Sequence, residues 1–398
     1  MKTMLKYILT AAVVCMAAVS CVYPFEPEAD NSDSRLVIEG DMLLGSVSTV
    51  TLSYLSALNE TEEVVRQNVP RSASVWVESS DGRRYDGQKG AGHFLTFYVD
   101  LTDAPSSSDY RLNVVNNDTG RRYVSDWEEP ATGSVVIDGV SADVAENKSA
   151  VTFKLDIHSD PSVRYFRIAY DEDWEYHSLF KAYVRYFSPL EPGYTGPETG
   201  YIEDGYYKHG YNYYCWGASV SSYIQLVSTK DYSESRLQNY PLRTLTSADR
   251  RISYLYCITP RVYPMTKDAY EYYDHLNSVT SFSGSLFSPN PSEMRGNIHC
   301  VSDEKEMVIG YVEVSAPVSG HFFFDGRELG VYASNKPSYD TESTNVPPDQ
   351  WLDYYYNGYL PIAYDEIQGS EWADSRCVDC RVFGGTKNKP SFWPNDDE

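Results

Sequence analysis

Val151, Phe153, Leu155 and Ile157 alternate with mostly polar residues, and Phe166, Ile168 and Tyr170 continue the pattern. Period-two alternation puts the apolar side chains on one face of an extended chain, which buries itself as a half-covered strand. The signature recurs nearer the N-terminus, where Val50, Leu52 and Tyr54 alternate with Thr49, Thr51 and Ser53. Ser74-Val75-Trp76-Val77 runs into Asp81-Gly82, a strong hairpin signal. Leu36-Val37-Ile38, Phe94–Val99, Tyr110–Val115 and Arg121–Val124 are further strand candidates before residue 130. Asp81-Gly82-Arg83-Arg84-Tyr85 is echoed by Asp118-Thr119-Gly120-Arg121-Arg122-Tyr123, which marks two similar hairpin turns and not a domain repeat.

These patterns predict an all-β chain with minor α. Residues 35–130 have the scale of an immunoglobulin- or transthyretin-like β-sandwich. Residues 131–398 read as a second, larger β-sandwich-type domain with one inserted helix and long loops, and Arg251–Ile258 and Met307–Ser315 as later strands of its sheet system. The helix is expected over Thr266–Asn277, with Thr266 as N-cap, Asp268 in the first turn and Tyr270, Tyr273 and Leu276 along one stripe. Pro189–Gly210, with three prolines and five glycines, and Asn335–Gln350 are too long for plain connections.

The chain opens with Lys2 and Lys6, an apolar run from Tyr7 to Val19, then Ser20 and Cys21. A basic start, an apolar run and small residues before a cysteine predict a lipoprotein signal over residues 1–20, with Cys21 as the lipid-attachment site. The run falls short of the ~20 residues that a spanning helix needs. Residues 21–34 read as an acidic flexible tether with Glu26, Glu28, Asp30 and Asp33. At ~3.3 Å per residue it reaches roughly 40 Å. The leader holds two lysines and no acid, so the mature charge moves from −24 to −26. With no basic stripe to oppose it, that charge argues against nucleic acid.

No GxSxG, HExxH, GxxxxGK[ST] or GxGxxG pattern is present. Asp171-Glu172-Asp173-Trp174-Glu175 offers oxygen ligands for calcium but lacks the glycine and spacing of an EF-hand, and reads as a solvated loop. His299-Cys300 has no partner pair at zinc spacing. No catalytic residue, cofactor or metal ligand is therefore assigned, and the chain reads as non-enzymatic. Cys377 and Cys380 form a CxxC pair expected to close as a local disulfide, while Cys215, Cys257 and Cys300 leave room for one more bridge of open pairing. Tyrosine supplies 36 of 398 residues, concentrated in Tyr206–Tyr214 and Tyr354–Tyr359, which read as strand-like runs with rings on both faces. Tyr206, Tyr207 and Tyr211, at the end of the Pro189–Gly210 loop, are candidate partner contacts.

Four stretches carry a resemblance: Val37-Ile38-Glu39-Gly40; Ser288-Pro289-Asn290-Pro291-Ser292-Glu293-Met294-Arg295-Gly296-Asn297-Ile298; Gly310-Tyr311-Val312; and Cys377-Val378-Asp379-Cys380-Arg381 through Pro390-Ser391-Phe392-Trp393-Pro394. Together they resemble the Bacteroidetes lipoproteins grouped as domain of unknown function 4249. The resemblance implies an outer-membrane, lipid-anchored protein, often encoded beside TonB-dependent receptors, with an accessory role in capture or uptake and an unassigned ligand. The tether is similar to signals that send such lipoproteins to the cell surface. Rival expectations are a structural or adhesive envelope protein without a small ligand, and a hydrolase on a β-scaffold. A concave aromatic pocket with converging polar groups favours binding.

Overall fold

A computed structural model describes residues 35–55, 68–91, 94–131, 133–221, 225–281, 296–331, 341–367 and 369–394. The signal, Cys21, the 21–34 tether, residues 288–295 and residues 335–340 lie outside them.

The first unit is one antiparallel sheet that curls over its own core. Its strands are β1 (Leu36–Gly40), β3 (Val47–Tyr54), β4 (Ala73–Ser79), β5 (Arg84–Lys89), β6 (Leu95–Asp100), β7 (Tyr110–Asn116) and β8 (Arg121–Ser125), with the two-residue β2 (Met42–Leu43) after β1. The order is β1-β3-β6-β5-β4-β7-β8, closed by Ile298–Cys300 (β18) beside β8. The curl has a local cause. Arg84–Asp86 pair with β4 while Gly87–Lys89 pair with β6, so β5 changes partner halfway along. The inward residues of both halves, among them Ile38, Leu52, Val77, Phe97 and Leu112, then share one core.

The boundary expected at residue 130 does not close this unit, because residues 296–315 return to it. Ile38 N donates to Ile309 O at 2.9 Å, and Ile309 N donates to Leu36 O at 2.9 Å. Val314–Ser315 (β19) then pairs in parallel with β2. Met307–Ser315, expected in the second sheet system, thus covers the open edge of β1, whose backbone groups would otherwise lack partners. The fit is tight. Gly310 sits at φ +139°, where a Cβ would overlap the Ile38 carbonyl, and a Cβ on Gly296 would overlap the Gly310 carbonyl. Asn297 acts as a surrogate backbone: its Nδ2 donates to Val312 O at 2.7 Å and its Oδ1 accepts from Val312 N at 2.9 Å.

The second unit is a sandwich. One layer holds β9 (Val135–Val144), β10 (Ala150–Ser159) and β16 (Arg236–Thr246). The other holds β11 (Tyr165–His177), β14 (Tyr214–Val220), β15 (Gln225–Ser228), β17 (Leu255–Met265), β20 (Val318–Ser319) and β21 (Phe322–Asp325). The alternating Val151, Phe153, Leu155 and Ile157 meet Phe166, Ile168, Tyr256 and Ile258 between the layers. The strand expected from Arg251 begins at Leu255, after a 3₁₀ turn at Arg250–Ile252 capped by Asp249. Asp171–Glu175 is part of β11 and not a solvated loop. Its Glu172 is buried because it accepts from Arg243 Nε at 3.2 Å, Arg251 Nη1 at 2.8 Å and Tyr256 OH at 2.9 Å. The expected helix is α1 (Lys267–Ser281), and Thr266 Oγ1 accepts from Ala269 N at 3.3 Å. A short α2 (Gly326–Leu329) follows β21.

A charge cluster centred on a buried carboxyl joins these units. Arg167 of β11 donates to Asp41 Oδ2 at 2.5 Å, lies 4.2 Å above the Tyr263 ring and stands 3.8 Å from Glu313 Oε1. Glu313 is 1% exposed, and neither of its oxygens accepts a hydrogen bond. Burial, then repulsion from Asp41, outweigh the attraction of Arg167 and lift its carboxyl up to about 8.

The third unit combines residues 178–213, which connect β11 to β14, with residues 341–383. It contains β12 (Arg185–Phe187), β13 (Tyr201–Glu203), β22 (Thr344–Val346), α3 (Trp351–Tyr356), β23 (Tyr359–Asp365), β24 (Gly369–Asp374) and α4 (Ser375–Val378). Trp351 Nε1 and Trp372 Nε1 both donate to Ser370 Oγ, at 2.7 and 2.9 Å. The disulfide expected between Cys377 and Cys380 is not formed: Cys380 bonds Cys215, 165 residues away. Asp374 and Asp379 cap two successive helical turns, which send Cys377 among Ala182, Ala373 and Val378 but Cys380 beside Tyr176 and Cys215. Beyond the bridge, Trp393 Nε1 donates to Glu175 Oε2 at 3.0 Å and Phe392 stacks on His321 at 4.0 Å.

Two expectations follow. Non-reducing peptide mapping will join the Cys215 and Cys380 peptides, and Cys380→Ser will cost roughly 2–4 kcal/mol of stability; a Cys377–Cys380 peptide would overturn the pairing. Glu313 has a folded pKa raised above its unfolded value, so its contribution is present at the acid end and is lost as pH rises through about 8. Glu313→Gln will therefore flatten the fall in melting temperature between about pH 5 and about pH 9; an unchanged slope would exclude Glu313 as its source.

Candidate functional site

Strands β12 and β13 face two ways. Tyr186 and Ile202 are directly paired and point inward, where they pack with Trp351 and Trp372. Phe187 and Tyr201 are likewise paired but lie on the outer face, so their rings stack at 4.7 Å with a 9° tilt. The stack extends in both directions. Tyr194 lies 6.1 Å from Tyr201, Tyr206 sets its edge 5.5 Å from Phe187, Tyr207 follows Tyr206 at 4.9 Å, and Tyr211 follows Tyr207 at 4.8 Å. The result is a continuous six-ring ladder.

Arg185 is the charged centre of this surface. Its guanidinium lies 4.3 Å over Phe187 and 5.0 Å over Tyr206. Nη1 donates to Tyr206 OH at 2.6 Å and Nη2 to Glu191 Oε2 at 3.1 Å. Beside it opens a cleft of about 160 Å³, walled by Arg185, Glu191, Tyr207 and Tyr211 on one side and by Tyr355 and Pro361 on the other. Both tyrosine-rich stretches of the sequence therefore meet in one cavity. Tyr354–Tyr356 lie on α3 and not on a strand, so the three rings fan out. Tyr355 enters the cleft, Tyr354 packs on Tyr359 at 5.2 Å, and Tyr356 is 68% exposed.

The three tyrosines singled out from the sequence have different surroundings. Tyr206 is 40% exposed, whereas Tyr207 and Tyr211 are half-buried in the cleft wall. The Pro189–Gly210 stretch is not wholly irregular, since it contains β13. Arg185 and Glu191, six residues apart, match no motif in the sequence, and Tyr355, in the second tyrosine-rich stretch, reaches the cleft only through the fold. Burial lifts the phenols of Tyr207 and Tyr186 to about 12, and Tyr211 is raised by burial and then by Asp379. At neutral pH these groups are protonated, so they donate and accept hydrogen bonds and supply no phenolate nucleophile. Arg381 Nη2 also donates to Tyr211 OH at 3.2 Å, which holds the rear wall to the tail. No cluster of three His, Cys, Asp or Glu side chains able to hold a metal occurs among the described residues.

Tyr206→Ala will leave stability within about 0.5 kcal/mol, as exposed changes do. Tyr207→Ala, in the wall, will cost about 1–3 kcal/mol. Denaturant unfolding of the two variants checks this, and equal losses would contradict the assigned exposures.

Residues 22–320 match a family model described as a domain of unknown function (DUF4249). No curated protein matches the chain. Arg185, Glu191, Tyr207 and Tyr211 fall inside the match, whereas Tyr355 and Pro361 fall beyond it. Among the described residues, no helix is long and apolar enough to cross a membrane.

Proposed function

The chain belongs to the family defined by this domain of unknown function, and on that premise we propose that it is a non-enzymatic binding protein of the cell envelope. In this reading a lipid on Cys21 holds it at the outer membrane with the body at the cell surface. There it serves as accessory to a TonB-dependent transporter in nutrient capture or uptake. The observation that carries the binding role is the aromatic cleft with Arg185 and Glu191 in its wall. Rings fixed by stacking give a large contact area at little entropic cost, and a guanidinium held in place adds direction. Burial keeps Tyr207 and Tyr211 protonated, and Tyr211 OH accepts from Arg381, which suits recognition better than bond-breaking. The adhesive alternative draws on the exposed part of the ladder, where Tyr201 and Tyr206 face solvent.

The test is purification of the lipidated protein from its native membrane after mild cross-linking. The native chain is expected to bring down a transporter. The Arg185→Ala, Tyr206→Ala double variant is expected to lose it at an unchanged melting temperature. Cys21→Ala is expected to move the protein to the soluble fraction. Retention of the partner by the double variant would remove the cleft from the interface. Membrane association of Cys21→Ala in high salt would remove the lipid anchor.

A further inference from the structure

A second, chemically opposite cleft lies in the first unit. It has a volume of about 560 Å³ and is lined by Arg35, Tyr54, Asn116, Arg121, Lys305 and Glu306, among others. That volume is in the range of roughly 300–1,000 Å³ typical of small-molecule sites. In a chain with 57 acidic and 33 basic residues, three cations and one carboxylate around one cavity is a local reversal of charge.

The carboxylate is already engaged. Glu306 Oε2 pairs with Arg121 Nη1 at 2.9 Å, and Oε1 accepts from Tyr123 OH at 2.8 Å. Asp303 accepts from the backbone N of Lys305 at 3.0 Å and not from its ammonium. Among the described residues, no carboxylate pairs with the side chains of Arg35 or Lys305. Asn116 Nδ2 donates to Tyr54 OH at 3.0 Å, which leaves the phenol proton directed to another acceptor. Among the described residues, the cleft thus offers two cations without a carboxylate partner and a hydroxyl donor, supplied from three separated stretches of chain.

We infer that this cleft takes a phosphate-bearing ligand. A single arginine fork satisfies a carboxylate, whereas a phosphate presents more acceptor oxygens than one fork can reach and favours cations converging from several directions. Lipid headgroups and soluble phosphate esters share that chemistry. Arg35, fourteen residues after Cys21, lines the cleft.

Two arms test the inference and separate the sources. In the first, glycerol 3-phosphate is titrated into the full lipidated chain in neutral detergent. In the second, the Cys21→Ala chain is sedimented with vesicles of phosphatidylglycerol or of phosphatidylcholine. The Arg35→Ala, Lys305→Ala double variant is expected to weaken whichever binding occurs by at least about tenfold, at an unchanged melting temperature and with a shallower salt dependence. Binding in the first arm identifies a soluble ester; binding only to phosphatidylglycerol vesicles identifies a headgroup. Absence of binding in both arms, or equal binding by the double variant, overturns the inference.

Discussion

The backbone contact between residues 296–315 and the first strand is the constraint on which the rest of the molecule depends. Ile38 and Ile309 exchange their hydrogen bonds with the opposite segment only because Gly310 and Gly296 let three stretches of main chain approach without side chains between them. That approach closes the first core, since Val308, Val312 and Val314 complete it. It also fixes where Glu313 must sit, one residue from the seam and beneath Arg167 of the neighbouring sandwich. A backbone fit inside one unit thereby sets the electrostatics between two. The cluster is high in stakes, because removing Arg167 would leave the carboxylate of the half-buried Asp41 without its counter-charge beside the buried Glu313.

The same segment explains why stretches with no catalytic signature stand out in the sequence. Val37-Ile38-Glu39-Gly40, Gly296-Asn297 and Gly310-Tyr311-Val312 are far apart in the chain but form one packed junction. Their glycines and the amide of Asn297 do backbone work. The aromatic cleft lies away from this junction, between residues 184–211 and 355–361, whereas the cationic cleft borders it through Arg35 and residues 305–307.

Local features of the fold were legible from the sequence. Alternation at Val151–Ile157, the Asp81-Gly82 hairpin and the Thr266 cap each rest on interactions within a few residues, and each reappears in the structure. Features that depend on distant pairing were not. Met307–Ser315 has a strand-like pattern, but nothing local says which sheet it joins. Cys377 and Cys380 invite a local bridge by proximity, yet the capping aspartates turn their sulfurs apart. Asp171–Glu175 looks solvated until its arginine partners arrive from residues 243, 251 and 261. The aromatic cleft was half legible: Tyr207 and Tyr211 stood out by composition, whereas Tyr355 needed a helix to aim it and Arg185 had no signal at all.

The Cys215–Cys380 bridge has a bearing on when the molecule becomes competent. The strands of both β-units end at Asp325, but the far wall of the aromatic cleft is made of residues 355–361 and is tied down at residue 380. During synthesis, that wall emerges after the strands of both β-units. It is secured only where thiols are oxidised. A shortened or still-reduced chain would therefore carry the strands of both β-units and an unfinished aromatic cleft.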